Sequence, residues 1–374
     1  MSVIRICQMI TELRPAGAER CVYELATRLD KSRFDVRVVA LRSGSVADDL
    51  RAGGIRVDTL DVRGRCDVAK LVRLVSLLSG PRIDILHTHL FHADLVGKPA
   101  AAAAGVPHVV NTIHVAEARH RPWQFAWARL SSAYCRKMIC VSQAVADFHR
   151  ARTGLARDKY EVIPNGIATE SFFPDADARI AARRELGLVG GDFAVAFAGR
   201  LDPQKGLAVL LEAARLLADQ RDVHVLLAGQ GPLEAFAREF IKRHCLSRVR
   251  LLGFVRPVQN LYNAADVLAM PSRWEGFGLS AAEAMSCGLA VVSTKVAGLA
   301  EVVGDAGMLV PPDDPRALAK ALIHLRDDEQ LRKELASRGR ARVASCYQIQ
   351  ANVVAHQRLY ERIIESSGGS RRQR

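Results

Sequence analysis

Apolar positions along the chain follow two alternating patterns. Short β-rich runs alternate with stretches whose apolar residues recur at helical spacing, as in parallel sheets joined by crossover helices. In the first half this predicts strands over 3–10, 34–41, 55–60, 83–88, 108–114, 137–141 and 161–163. Helices fall between them, for example over 18–29, 69–78 and 123–134. A second series predicts strands over 193–198, 223–228, 249–254, 266–270, 290–294 and 308–310, after a Pro/Gly/Asp-rich stretch over 164–191. Each series by itself makes one doubly wound domain. The expected organisation is therefore α/β, with Rossmann-like parallel-sheet domains over 1–168 and 169–346. Residues 347–374 are left for a C-terminal helix, with the first domain as a surface to pack back on, and a basic tail. Ligands of open α/β sheets sit beyond the carboxyl ends of the strands, so two such domains facing a central cleft would line it with their strand-end loops.

Composition narrows the class. A chain of 374 residues, 49% hydrophobic with few aromatics, suits two packed soluble domains. No run approaches the ~18 apolar residues that span a bilayer. The opening run carries Arg5 and lacks a cleavage site, so it reads as a buried strand and not a signal peptide. A cytoplasmic location is expected, with peripheral contact at the membrane's cytoplasmic face left open. The eight cysteines form no C-x-x-C pair, which excludes zinc-ribbon and disulfide frameworks.

Net charge is +13. No helix-turn-helix, RNA-recognition or zinc-finger pattern accompanies it, so nucleic acid is not the expected partner. Two acidic partners remain, a nucleotide diphosphate and an anionic membrane surface. Residues 117–160 hold nine Lys and Arg against three acids, with Trp123, Trp127, Leu130 and Tyr134 at helical spacing among them. Such a stripe either packs into the first domain's core or lies in a membrane interface.

Four segments carry candidate chemistry. Glu275-Gly-Phe-Gly-Leu-Ser-Ala-Ala-Glu283 follows a strand and opens a helix. Gly276 and Gly278 allow close backbone approach, and a helix N-terminus offers free N–H groups to a phosphate or to sugar oxygens. Gly199-Arg200-Leu-Asp-Pro-Gln-Lys205-Gly206 ends the second domain's first strand and supplies a forked donor and a mobile point charge, the two cations a pyrophosphate needs. Arg14-Pro-Ala-Gly17-Ala-Glu-Arg20 follows the first strand of the chain, and His114 ends the strand over 108–114.

Together these segments resemble glycosyltransferase family 4, whose members are retaining enzymes of the GT-B fold. The glutamate segment is similar to the family's E-x7-E motif, the basic one to G-R-L-x-x-x-K-G, and the first loop to G-G-A-E-R with Ala16 in place of a glycine. That substitution removes one residue free to adopt positive φ and is expected to redraw the turn. The resemblance implies a hexosyltransferase using a nucleotide sugar, UDP-linked as the commoner class, with no cofactor and no metal. It implies catalytic roles for His114, Glu275, Arg200 and Lys205. Donor binding would fall to Gly17, Arg200, Lys205, Glu275, Gly276, Phe277, Gly278, Leu279, Ser280 and Glu283, with Glu283 on the ribose. Phe254 and Val255 would receive the base. The expected acceptor is a glycan or, where the stripe over 123–134 meets a membrane, a lipid-linked saccharide of cell-envelope or exopolysaccharide synthesis, with soluble acceptors left open.

Other readings compete. His87-Thr-His89-Leu-Phe-His92 looks like a metal cluster, but no carboxylate or thiolate completes an obvious site with it. Asp175-Ala-Asp177 spells the D-x-D of metal-dependent transferases yet lies in the linker. A sugar-nucleotide epimerase uses the same fold, and a non-catalytic nucleotide-sugar-binding subunit would also keep it.

Overall fold

The computed structural model describes residues 3–62, 67–80, 82–115 and 121–371. The chain divides into two units, Met1–Gly166 with Ile349–Arg374, and Ile167–Gln348. These limits differ by two residues from the expected 168 and 346. Ile167 is held in the second unit by its amide, which donates to the Tyr347 carbonyl at 2.7 Å, and by a parallel bridge to Gln348.

In the first unit the described strands are β1 (Ile4–Glu12), β2 (Phe34–Arg42), β3 (Arg56–Thr59), β4 (Ile85–His89), β5 (His108–Ile113), β6 (Lys137–Cys140) and β7 (Tyr160–Val162). They form one parallel sheet in the order β3-β2-β1-β4-β5-β6-β7. Parallel strands covered on both faces read as near-continuous apolar runs, which is why period-2 alternation is weak in this sequence. One face packs Cys7, Met9, Val39 and Leu86 against Leu74 and Leu78 of the helix Val68–Ser79 and Ala93 and Ala100 of the helix Phe91–Ala104. The in-register pairs Gln8↔His87 and Ile10↔His89 lie on the opposite face. The C-terminal helix Ile349–Arg371 belongs to this unit and brings the fully buried Tyr360 onto His87.

The second unit holds β8 (Phe193–Ala198), β9 (Val223–Ala228), β10 (Val249–Gly253), β11 (Val267–Met270), β12 (Ala290–Thr294) and β13 (Met308–Val310), ordered β10-β9-β8-β11-β12-β13. Every residue of β8 and β12 is buried. Leu207, Leu210 and Leu211 of the helix Leu207–Leu216 and Leu318, Leu322 and Leu325 of the helix Pro315–Asp327 pack on the sheet in a single core.

Candidate functional site

Both sheets change winding direction beside their first strand, β1 next to β4 and β8 next to β11. Loops leaving two such strands run to opposite faces and open a crevice at their carboxyl ends. In the second unit those loops are the segments over 199–206 and 271–278, so topology alone brings two of the candidate motifs together.

Gly206 decides how closely they meet. It has φ +68°, and a Cβ there would fall on the Pro271 carbonyl. Only glycine allows that approach. The loops are then stitched by the Arg273 amide donating to the Gln204 carbonyl at 2.8 Å and by Gln204 Nε2 donating to the Trp274 carbonyl at 3.1 Å. Lys205 is thereby delivered to Glu275, and the two form an ion pair. Ser272 Oγ donates to the same Glu275 Oε1 at 3.0 Å, and Glu275 is buried. Arg200, largely exposed, pairs with the buried Asp202, whose Oδ1 also accepts from the Lys205 amide at 3.0 Å. Each cation of the candidate pair is thus held by a carboxylate.

Gly278, at φ +94°, caps the helix Leu279–Ser286 and turns the chain so that its first N–H groups face the loop. Gly276 is buried, and its carbonyl fills the place a Cβ on Gly298 would take. Phe277 is buried edge-on to Tyr347, with ring centroids 5.2 Å apart, so its ring belongs to the core while Leu279 and Ser280 stay half-buried. Glu283 is buried one turn into the helix and accepts from Tyr262 Oη at 3.1 Å. Burial and the Glu283 charge hold the Tyr262 phenol well above its ordinary range, and they push the Cys287 thiol up to about 12. Phe254 is exposed and Val255 half-buried; both follow β10, the outer strand, two positions from β8.

In the first unit the loop after β1 carries Ala16. Its φ of −153° and ψ of −178° are extended backbone that any residue adopts, so the turn is drawn without a glycine there. Gly17 is exposed and opens the helix Gly17–Arg28. His114 lies just past β5, half-buried, with its Nε2 3.1 Å from His89 Nδ1. Burial, and then the neighbouring His356, push its imidazole down to about 3. His87 is engaged at both nitrogens, by Tyr360 Oη and Thr112 Oγ1, each at 2.7 Å. Among the described residues no three His, Cys, Asp or Glu stand where they could hold a metal ion. Asp175 caps the helix Ala176–Glu185 by accepting from the Ala178 amide at 2.9 Å.

The aromatic stripe ends differently from a single packed helix. The α-helix stops at Leu130 and tightens into a 3-10 turn over Ser131–Tyr134. Trp123, Leu130 and Tyr134 are exposed at 50, 75 and 66%, Trp127 is half-buried, and Phe125 enters the core. Arg121, Arg129 and Arg136 around them are exposed too. Residues 117 and 119, counted in the charge of this segment, lie outside the described residues. Among the described residues no helix is long and apolar enough to cross a membrane.

Sequence reasoning missed Asp202, Ser272, Tyr262 and Tyr360. Asp202 stood inside the quoted basic motif, and Ser272 three residues before Glu275; Tyr262 and Tyr360 carried no local signal.

Residues 15–171 match the model of Glycosyltransferase Family 4, and residues 192–328 that of Glycosyl transferases group 1. A D-inositol 3-phosphate glycosyltransferase of Xylanimonas cellulosilytica is 35% identical over 363 residues, covering 90% of this chain and 86% of its own. The chain belongs to glycosyltransferase family 4. The UDP-Gal:alpha-D-GlcNAc-diphosphoundecaprenol alpha-1,3-galactosyltransferase of Escherichia coli is 28% identical to this family 4 glycosyltransferase, over 84% of this chain and 86% of the relative. The fold is GT-B. The crystal structure of HepE from Anabaena, in complex with UDP and glucose, superposes with a TM-score of 0.86 over 97% of this chain and 100% of that one, at 24% identity.

Proposed function

We propose that this glycosyltransferase is a retaining, metal-independent enzyme that moves a hexosyl group from a UDP-linked sugar to a lipid-linked or glycan acceptor of cell-envelope or exopolysaccharide synthesis. The observation that carries the donor side is the meeting of Lys205, Glu275 and Ser272 at the β8/β11 crevice, with Arg200 beside it. On binding, the diphosphate replaces Glu275 and Asp202 as the counter-charge of Lys205 and Arg200. Glu275 is released to accept from sugar hydroxyls, and Glu283, oriented by Tyr262, takes the ribose.

As the bond from the anomeric carbon to the phosphate oxygen breaks, charge grows on the leaving diphosphate. Fixed cations and the N–H groups opening Leu279–Ser286 stabilise that charge without reorganising. The acceptor oxygen bonds to the anomeric carbon on the face the diphosphate leaves, and its proton passes to a phosphate oxygen. His114, which the family resemblance sets beside the transferred sugar, is neutral at pH 7 and suited to hydrogen bonding.

UDP and a lipid-linked acceptor are supported by the name of the E. coli relative and by the exposed Trp123, Leu130 and Tyr134 among arginines, a surface suited to an anionic membrane. A second reading, a soluble phosphorylated acceptor, is favoured by higher identity to D-inositol 3-phosphate glycosyltransferases, 35% against 28%.

The deciding experiment measures binding and hydrolysis of UDP-, GDP- and ADP-sugars in EDTA by the wild type, Glu275→Ala and Arg200→Ala. One donor bound by the wild type alone supports the proposal and names the sugar. No binding to any donor counts against it in favour of a non-catalytic subunit, and conversion of a donor sugar without acceptor identifies an epimerase. A trapped glycosyl-enzyme adduct would sink the same-face mechanism.

A further inference from the structure

We propose that His89 is a positioning residue that fixes the tautomer of His114, so that His114 presents an N–H donor at Nδ1 to an oxygen of the donor sugar. The proposal rests on the reading of His114 as a residue facing the donor. His87 and His89 alternate onto one face of β4, and the register His89↔Thr112 sets Thr112 of β5 on that face too. His87 is clamped between Tyr360 Oη and Thr112 Oγ1. The His89 ring stacks on it, centroids 4.1 Å apart and planes 33° from parallel. With its ring plane set in this way, His89 turns Nδ1 toward His114 Nε2 at 3.1 Å. Its own Nε2 is buried without a hydrogen-bond partner among the described residues.

Only one proton fits between two imidazole nitrogens at that distance. If His89 Nδ1–H is the donor, the orphaned Nε2 of His89 is a bare lone pair and the proton of His114 must lie on Nδ1. If His114 Nε2–H is the donor, the proton of His89 lies on Nε2, a buried N–H with no acceptor among the described residues. Orphaned buried N–H groups are the rarer and costlier of the two arrangements. The first tautomer is therefore selected, and burial keeps both rings neutral, far below their ordinary range. An N–H at Nδ1 suits a hydroxyl or ring oxygen and gives no site for a proton donor.

The test is the imidazole tautomer of His114, read by long-range 1H–15N correlation on the full 15N-labelled chain and assigned with His114→Gln. An Nδ1–H pattern is expected in the wild type and in His89→Asn, whose amide reaches the place of Nδ1. His89→Leu should shift His114 toward Nε2–H and lower kcat about ten- to hundredfold, as for a misplaced catalytic group. Donor KM should stay within about twofold, and His89→Asn should recover most of the loss, since a substituted donor restores the geometry. His89→Gln, which keeps an amide but carries it past that place, replaces His89→Leu if the latter does not fold. An Nε2–H pattern in the wild type, or an unchanged tautomer in both His89→Leu and His89→Gln, overturns the proposal. Full transfer activity in His114→Ala would instead remove the functional reading of His114, and the spectra would still decide whether His89 sets its tautomer.

Discussion

Lys205 and Glu275, seventy residues apart in the chain, form one ion pair at the carboxyl ends of adjacent strands. On the proposed reading, a diphosphate that takes over Lys205 competes with Glu275 for its charge, which couples donor binding to release of Glu275. Lys205→Ala is expected to lower kcat about a hundredfold or more. It should also cost about 1–3 kcal/mol of stability by leaving Glu275 buried without its cation, a penalty discounted for the partial exposure of the lysine. The double variant with Glu275→Ala should regain stability and none of the activity. Urea unfolding and initial rates measure the two effects separately.

The close approach that makes this pair possible depends on Gly206. Gly206→Ala combines positive φ with a clash against the Pro271 backbone, and about 2–3 kcal/mol of destabilisation is expected. Gly187, at φ +60° with open space around it, is the control: Gly187→Ala should cost only about 1 kcal/mol. Equal losses in the two variants would show that backbone strain alone, without loop contact, sets the cost.

Tyr262→Phe removes the hydroxyl that donates to Glu283. A hydrogen bond to a charged acceptor contributes about 1.5–3 kcal/mol, so donor KM should rise about tenfold or more with a smaller change in kcat. Isothermal titration with UDP checks whether the loss lies in nucleotide binding.

Acid should weaken the first unit. Burial holds His356 down to about 4, against an ordinary value of 6.5. Between those values the unfolded chain takes a proton that the folded one refuses, so stability falls as pH drops from about 6.5 toward 4. For this one residue the loss approaches about 3 kcal/mol at pH 4. His356→Leu should flatten that part of the pH–stability curve, read from Tm between pH 7 and 4.

Ala16→Gly should change little. Ala16 is extended at an exposed helix N-cap, where glycine is at least as well tolerated as alanine and costs only unfolded-state entropy. Tm and activity are expected to stay near wild type, within about 0.5 kcal/mol.

The strands were legible because buried parallel strands are continuous apolar runs bounded by polar turns, as in Phe193–Ala198 and Ala290–Thr294. Strand-end loops were legible because their glycines and charges cluster locally. What sequence could not reveal were partners set by long-range packing. Nothing near Glu283 points to Tyr262, and nothing near His87 points to Tyr360, 273 residues away. The aromatic stripe stayed undecided for another reason: spacing along a helix does not show which side reaches the core, and there Phe125 is buried while Trp123, Leu130 and Tyr134 are exposed.

The division of the chain also bears on how the protein is made. The second unit is one uninterrupted stretch, whereas the first needs residues from both sides of it. On a ribosome, Met1–Gly166 emerges first but waits for all of Ile167–Gln348 before the helix bearing His356 and Tyr360 arrives, roughly ten to forty seconds at 5–20 residues per second. During that interval the second unit can close by itself, while the histidine-bearing face of the first stands bare in the nascent chain. The face of the first unit that carries His87 and His89 is therefore the last part of that unit to be covered during synthesis.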